Sequence, residues 1–179
     1  MAKGAGKAIA GIITLIIGGT VYSVSQADIV SKFSTETGMS QKEAEQYVES
    51  ISDEDLVSFD VLAEDFISEG EDILDLAFDL DCVNYYYDWE SDTLSCEEGK
   101  SQLREFAEGE IALGEAYKVI NSESASDADI YAVIRQIDRV NKNYNLEIII
   151  SLLDYSERDE SIKTNLYNKA LLQAALESE

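Results

Sequence analysis

The stretch FDVLAEDFISEGEDILDLAFDL, residues 59–80, carries Phe59, Leu62, Phe66, Ile73, Ala77 and Leu80 at helical steps, with Gly70 where the stripe would otherwise be interrupted. This spacing puts the apolar side chains on one face of an α-helix. The opposite face carries Asp60, Glu64, Asp65, Glu71, Asp72, Asp75 and Asp79. Upstream, Ser52 with Asp55 has the spacing of a capping pair, in which a hydroxyl and a carboxylate each satisfy a free backbone N–H. A long amphipathic helix from Asp53 to Leu80 follows, with Gly70 as the point where it can break.

The same signature recurs outward in both directions. Ser40-Gln41-Lys42-Glu43 is a capping box, and Ala44, Tyr47, Val48 and Ile51 follow at helical spacing. Ser95 with Glu98 opens a helix that turns Leu103, Phe106, Leu113, Tyr117 and Ile120 inward. Gly109 and Gly114 weaken that helix unless another backbone packs closely against it. NSESAS, residues 121–126, is a linker. Ser126 with Asp129 caps a helix bearing Ile130, Val133, Ile134, Ile137 and Val140. LEIIISLL, residues 146–153, fits a buried strand or a helix. A strand would have no partner there, so helix is expected. Ser156 with Asp159 caps the last helix, with Ile162, Leu166, Ala170 and Leu176 inward. The chain has no Pro, as suits long helices joined by short polar turns. The expected fold class is all-α: a compact bundle of about six helices over residues 28–179, preceded by an apolar amino-terminal helix.

One segment resembles a known family. ADIVSKFSTETGMSQKEAEQYVESI, residues 27–51, is similar to the helical hairpin that opens the histone-like, DNA-bending HU/IHF family. Ile29, Val30, Phe33, Thr37, Gly38, Met39, Ser40, Glu43, Ala44 and Val48 carry the likeness, over 25 of 179 residues. It implies a helix, a glycine stop and a serine-capped second helix, used in that family for dimerisation. DNA binding is not implied. The family grips DNA with a basic, Pro-tipped β-arm, and nothing after Ile51 resembles one.

Residues 1–27 hold Lys3 and Lys7 and no acid. A charge-free apolar run, AIAGIITLIIGGTVYSV, residues 8–24, follows the basic leader. This is the order of a secretory signal, with small residues Ser25 and Ala27 at a cleavage position after Ala27. It is equally the order of an uncleaved membrane anchor, although 17 residues are short for a span. A buried core helix and a pilin-like helix also fit the pattern. The positive-inside bias holds Lys3 and Lys7 in the cytoplasm under either membrane reading. Residues 28–179 are then exported, as a membrane-anchored, secreted or periplasmic domain.

Cys82 and Cys96 enclose 13 residues. In an oxidising compartment they form one disulfide. With no His in the chain they cannot complete a usual zinc site. The loop between them holds Tyr85, Tyr86, Tyr87 and Trp89, aromatics of the kind enriched at interfaces. These four are candidate partner-binding residues; the competing role is to cover the core. Asp88, Glu90 and Asp92 in the same loop are candidate cation ligands. They lack the glycine and the terminal glutamate of an EF-hand.

The net charge is −24, from 13 basic and 37 acidic residues. The +2 of residues 1–27 leaves −26 on the remainder. Residues 43–99 contain 20 carboxylates and no base. This charge excludes unaided binding to nucleic acid or to anionic lipid, both of which recruit cationic side chains. The absence of His excludes Ser-His-Asp and Cys-His catalysis, and no phosphate-loop, dinucleotide or nucleophile-elbow motif is present. No cofactor is expected. The expected function is that of a non-enzymatic interaction or accessory subunit, engaging an unknown, basic or apolar protein partner through its acidic face and the Tyr/Trp loop. The alternatives are a structural subunit of an envelope or filament and a cation-binding acidic module.

Overall fold

The computed structural model describes residues 11–51, 59–82 and 94–178. They form a helical bundle with one small β-hairpin: β1 Ile12–Ile17, β2 Thr20–Ser25, α1 Gln26–Thr37, α2 Gln41–Ser50, α3 Phe59–Asp79, α4 Cys96–Ile120, α5 Asp127–Asn143, α6 Glu147–Leu152 and α7 Tyr155–Glu177.

The hairpin corrects the expected apolar amino-terminal helix. β1 and β2 pair antiparallel, Ile17 opposite Thr20 and Ile12 opposite Ser25. Between them Gly18 and Gly19 both take positive φ, 58° and 75°. That is the backbone of the two-residue turn whose twist matches paired strands, and glycine adopts it without strain. The flanking runs are rich in Ile, Val and Thr, which pack well on a pleated surface. Ile17, Tyr22 and Val24 are buried in the main core. The Gly18 N–H donates to the Ile120 carbonyl at 3.0 Å, tying the turn to the end of α4. Ser25 ends β2 and caps α1, accepting from the Asp28 N–H at 3.1 Å. The cleavage position expected after Ala27 therefore lies in the first turn of α1. Among the described residues, no helix is long and apolar enough to cross a membrane.

The helices follow their capping residues closely. Gly38 closes α1 in the left-handed conformation, and Ser40 with Glu43 makes a complete capping box on α2. Ser95 with Glu98 does the same for α4. At α5, Ser126 N–H donates to Asp129 at 2.8 Å. The Ser52–Asp55 pair lies outside the described residues. The last helix begins earlier than expected, because Asp154 rather than Ser156 caps it. The Asp154 carboxylate accepts from the Glu157 N–H at 3.0 Å, and Ser156 donates to Asp154. Residues 147–152 are helix.

The bundle is a sequence of neighbours: α3 on α4, α4 on α5, α5 on α7, α7 on α1, α1 on α2, with the hairpin against α7 and α1. The inward residues expected for α4 and α5 are all buried. In α7 the buried set shifts to Tyr167, Ala170, Leu171, Leu172, Ala174 and Ala175, since this helix is flanked by α1 and α5 together. Its Lys169 ammonium reaches Glu36 of α1 at 2.8 Å and Asp138 of α5 at 2.7 Å, linking three helices inside the bundle. Burial works against both charges, but the hydrogen bonds prevail: Lys169 is held above its ordinary pKa and Glu36 below its own.

Candidate functional site

The α3–α4 pair forms the outer edge of the bundle. The contact line on α3 is Ala63, Gly70 and Ala77, small buried residues seven apart. A Cβ at Gly70 would lie 2.8 Å from the Ala107 carbonyl oxygen, and one at Gly114 2.7 Å from that of Ala63. The two backbones thus touch at two levels, which explains Gly114 inside α4. Beside this line Phe59 and Phe66 stack on Tyr117 with centroids 5.5 and 5.9 Å away. Apart from α4, α3 has only slight contact with other elements.

At the far end of the pair, Cys82 and Cys96 form the expected disulfide, with a Cα–Cα distance of 5.6 Å. It joins the exit of α3 directly to the first residue of α4. Lys100, the first base after the base-free stretch, donates to the Leu80 carbonyl at 2.8 Å. The Arg104 guanidinium lies over the Phe78 ring at 5.3 Å. Residues 83–93, between the cysteines, lie outside the described residues. Tyr85, Tyr86, Tyr87 and Trp89, and the cation candidates Asp88, Glu90 and Asp92, fall among them.

The outer face of α3 is acidic and exposed. Asp60, Glu64, Asp65, Glu71, Asp72, Asp75 and Asp79 all face solvent, as the spacing predicts. A groove of about 750 Å³ runs between α3, α4 and α6. Ile73, Leu103, Phe106, Ile149 and Leu153 line it, and Leu76 and Leu152 flank it about half exposed. Asp65, Glu69 and Asp72 supply its charged rim. Among the described residues, no basic side chain lines it.

Also on α4, and not anticipated from the sequence, is Glu110. It follows Leu103 and Phe106 on one helix face. It is fully buried, and neither carboxylate oxygen has a hydrogen-bond partner among the described residues. Burial, followed by the nearby Glu69 charge, pushes its pKa up to about 8. Glu69 itself is raised by partial burial and by Asp65. The only sequence signal for Glu110 is an acid on the inward stripe of an otherwise apolar helix face, and in so acidic a chain it is easily overlooked.

The arrangement places Asp65, Glu69 and Asp72 beside an apolar trough, on a disulfide-stapled helical pair. Among the described residues no group of three or more acidic or Cys side chains is placed to hold a metal ion.

The α1–α2 hairpin forms with the helix, glycine stop and serine cap implied by the HU/IHF likeness, and Ile29, Val30, Phe33, Ala44 and Val48 are buried in this chain's own core. The chain matches no protein-family model, no curated protein and no solved structure.

Proposed function

We propose that this protein is a non-enzymatic interaction subunit that binds a basic protein partner through the disulfide-stapled α3–α4 pair. The observation that carries this reading is the groove between α3, α4 and α6, apolar along its walls, with Asp65, Glu69 and Asp72 as the charged groups of its rim among the described residues. Complementary charge steers association and suppresses wrong partners. The apolar walls supply the area that desolvation can use. Tyr85, Tyr86, Tyr87 and Trp89, which fall between the two cysteines in the sequence, are proposed to add aromatic contacts. Residence in an oxidising, extracytoplasmic compartment is part of the proposal, supported by the Cys82–Cys96 bond.

The filament alternative relied on an apolar amino-terminal helix, and the hairpin takes that support away. The cation module relies on Asp88, Glu90 and Asp92. A thermal melt with and without millimolar calcium separates it, because a ligand that binds only the folded state raises Tm.

The test is capture of partners by three full-length forms: wild type, Asp65→Asn/Glu69→Gln/Asp72→Asn, and Tyr85, Tyr86, Tyr87 and Trp89 all changed to Ala. The expected result is a partner retained at low salt by wild type and lost from the neutralised form, with weaker retention by the aromatic variant. Equal recovery by wild type and the neutralised form contradicts the reading.

A further inference from the structure

The hairpin has a second surface that the α3–α4 reading does not use. In an antiparallel pair only alternate residues exchange main-chain hydrogen bonds. A two-residue turn makes Ile17 and Thr20 a bonded pair, so Leu15 with Tyr22 and Ile13 with Val24 follow in the same register. The Gln26 N–H donating to the Gly11 carbonyl at 2.9 Å continues it. The N–H and C=O groups of Ile12, Thr14 and Ile16 therefore point away from β2, along the open edge of β1. Among the described residues, no main-chain group of another element bonds to that edge.

The strand itself supplies none of the usual sequence protection. Natural edge strands carry Lys, Pro, a bulge or an inward charge to prevent pairing with other chains. Residues 8–25 contain no charge and no Pro. Three of the hairpin's outer side chains are apolar and open to solvent, Ile12 at 71%, Ile16 at 66% and Val21 at 62% exposure, alongside the exposed polar Thr14 and Ser23. A groove of about 640 Å³ runs beside the edge, between Ile13–Ile16 and a wall that includes Tyr47, Ile51, Leu62 and Leu171. Among the described residues, its charged lining is Asp60 and Glu160, with no base.

We propose that the open edge of β1 is a strand-addition site for an extended segment of a cationic partner protein. The added strand completes the main-chain bonds at Ile12, Thr14 and Ile16. Alternate side chains enter the groove beside Ile13 and Leu15, the others cover Ile12 and Ile16, and a flanking Lys or Arg meets Asp60 or Glu160. Main-chain pairing gives affinity in this mode and the alternate side-chain pockets give specificity. Charge selects such a partner over a second copy of this chain, which would bring a further −24 and its own Asp60 and Glu160 to the same place. Neutralising Asp65, Glu69 and Asp72 leaves this site intact.

The test is amide hydrogen exchange on the full chain, alone and with the peptide Lys-Val-Thr-Val-Thr-Val-Lys. The controls replace both Lys by Glu, or the central Val by Pro. In the free protein the amides of Ile12, Thr14 and Ile16 should exchange about 100-fold faster than those of Ile13, Leu15 and Ile17. The Lys peptide should slow those three by about tenfold or more and leave the alternate three unchanged, while both controls have little effect. Thr14→Pro removes one outward N–H without touching the hairpin bonds, and should abolish the slowing. Four results overturn the proposal: all six amides slow in the free protein at every concentration, which means the chain covers its own edge; slowing that grows with protein concentration, which means a second copy does; no response to the Lys peptide; or an equal response to the Glu peptide.

Discussion

Glu110 is the residue whose chemistry departs furthest from its type. A carboxyl group with no partner among the described residues, shielded from water and facing Glu69, resists ionisation. Its folded pKa of about 8 lies above the unfolded value, so the folded state holds a proton that the unfolded state has lost. The group's contribution to stability therefore declines as pH rises from about 4.5 toward 8, by at most about 1.4 kcal/mol per pH unit, and levels off beyond. Glu110→Gln removes the charge while keeping the shape. We expect this variant to melt near wild type at pH 5 and several degrees above it at pH 8.5, in thermal melts followed by circular dichroism. Equal melting of the two proteins at both pH values would contradict this account of Glu110. Lys169 shows the opposite solution to burial, with Glu36 and Asp138 meeting its charge directly. The two residues differ because Lys169 lies where α1, α5 and α7 each bring a polar group, whereas Glu110 faces a second acid.

At the scale of elements, the capped helices were legible and the amino-terminal hairpin was not. Ser40, Ser95 and Ser126 each stand three residues before an acid, and each starts a helix. This signal is local, so no knowledge of the partner helices is needed to read it. The contact line of α3 was only half legible. The large stripe residues Phe59, Leu62, Phe66 and Ile73 lie partly buried beside the seam, and the seam itself is Ala63, Gly70 and Ala77. The hairpin signal was present in Gly18-Gly19 between β-branched runs, but residues 12–17 are apolar at nearly every position. Without alternation, strand and helix look alike, and the basic leader favoured the membrane interpretation. That leader and the hairpin make competing demands on the same residues. Because β1 and β2 pack into the main core, a chain starting at Asp28 loses the buried Ile17, Tyr22 and Val24 and the Ser25 cap. Each such side chain contributes roughly 1.5–3 kcal/mol, offset in part by the entropy of ordering the hairpin. We expect the 28–179 form to melt about 5–10 °C below the full chain. An unchanged melting temperature would show that the hairpin adds nothing to the domain.

For the whole molecule the organising quantity is charge. A body of −26 is tolerable because most of it is spread over solvated helix faces, where repulsion is screened within about 8 Å at physiological salt. The concentration is uneven: the base-free residues 43–99 supply α3, and α3 lies outermost, held to the bundle through α4 and the disulfide. The acidic face was legible from residue spacing alone. The groove beside it was not, because its opposite wall comes from Ile149, Leu152 and Leu153, some 75 residues further along the chain. The most direct measurement places a photo-crosslinking amino acid at Leu76, on the groove, and separately at Tyr131, an exposed site on α5 remote from it. The account predicts partner cross-links from Leu76 that fade as salt rises, with few from Tyr131. Equal yields from both positions, or none from Leu76, would contradict it.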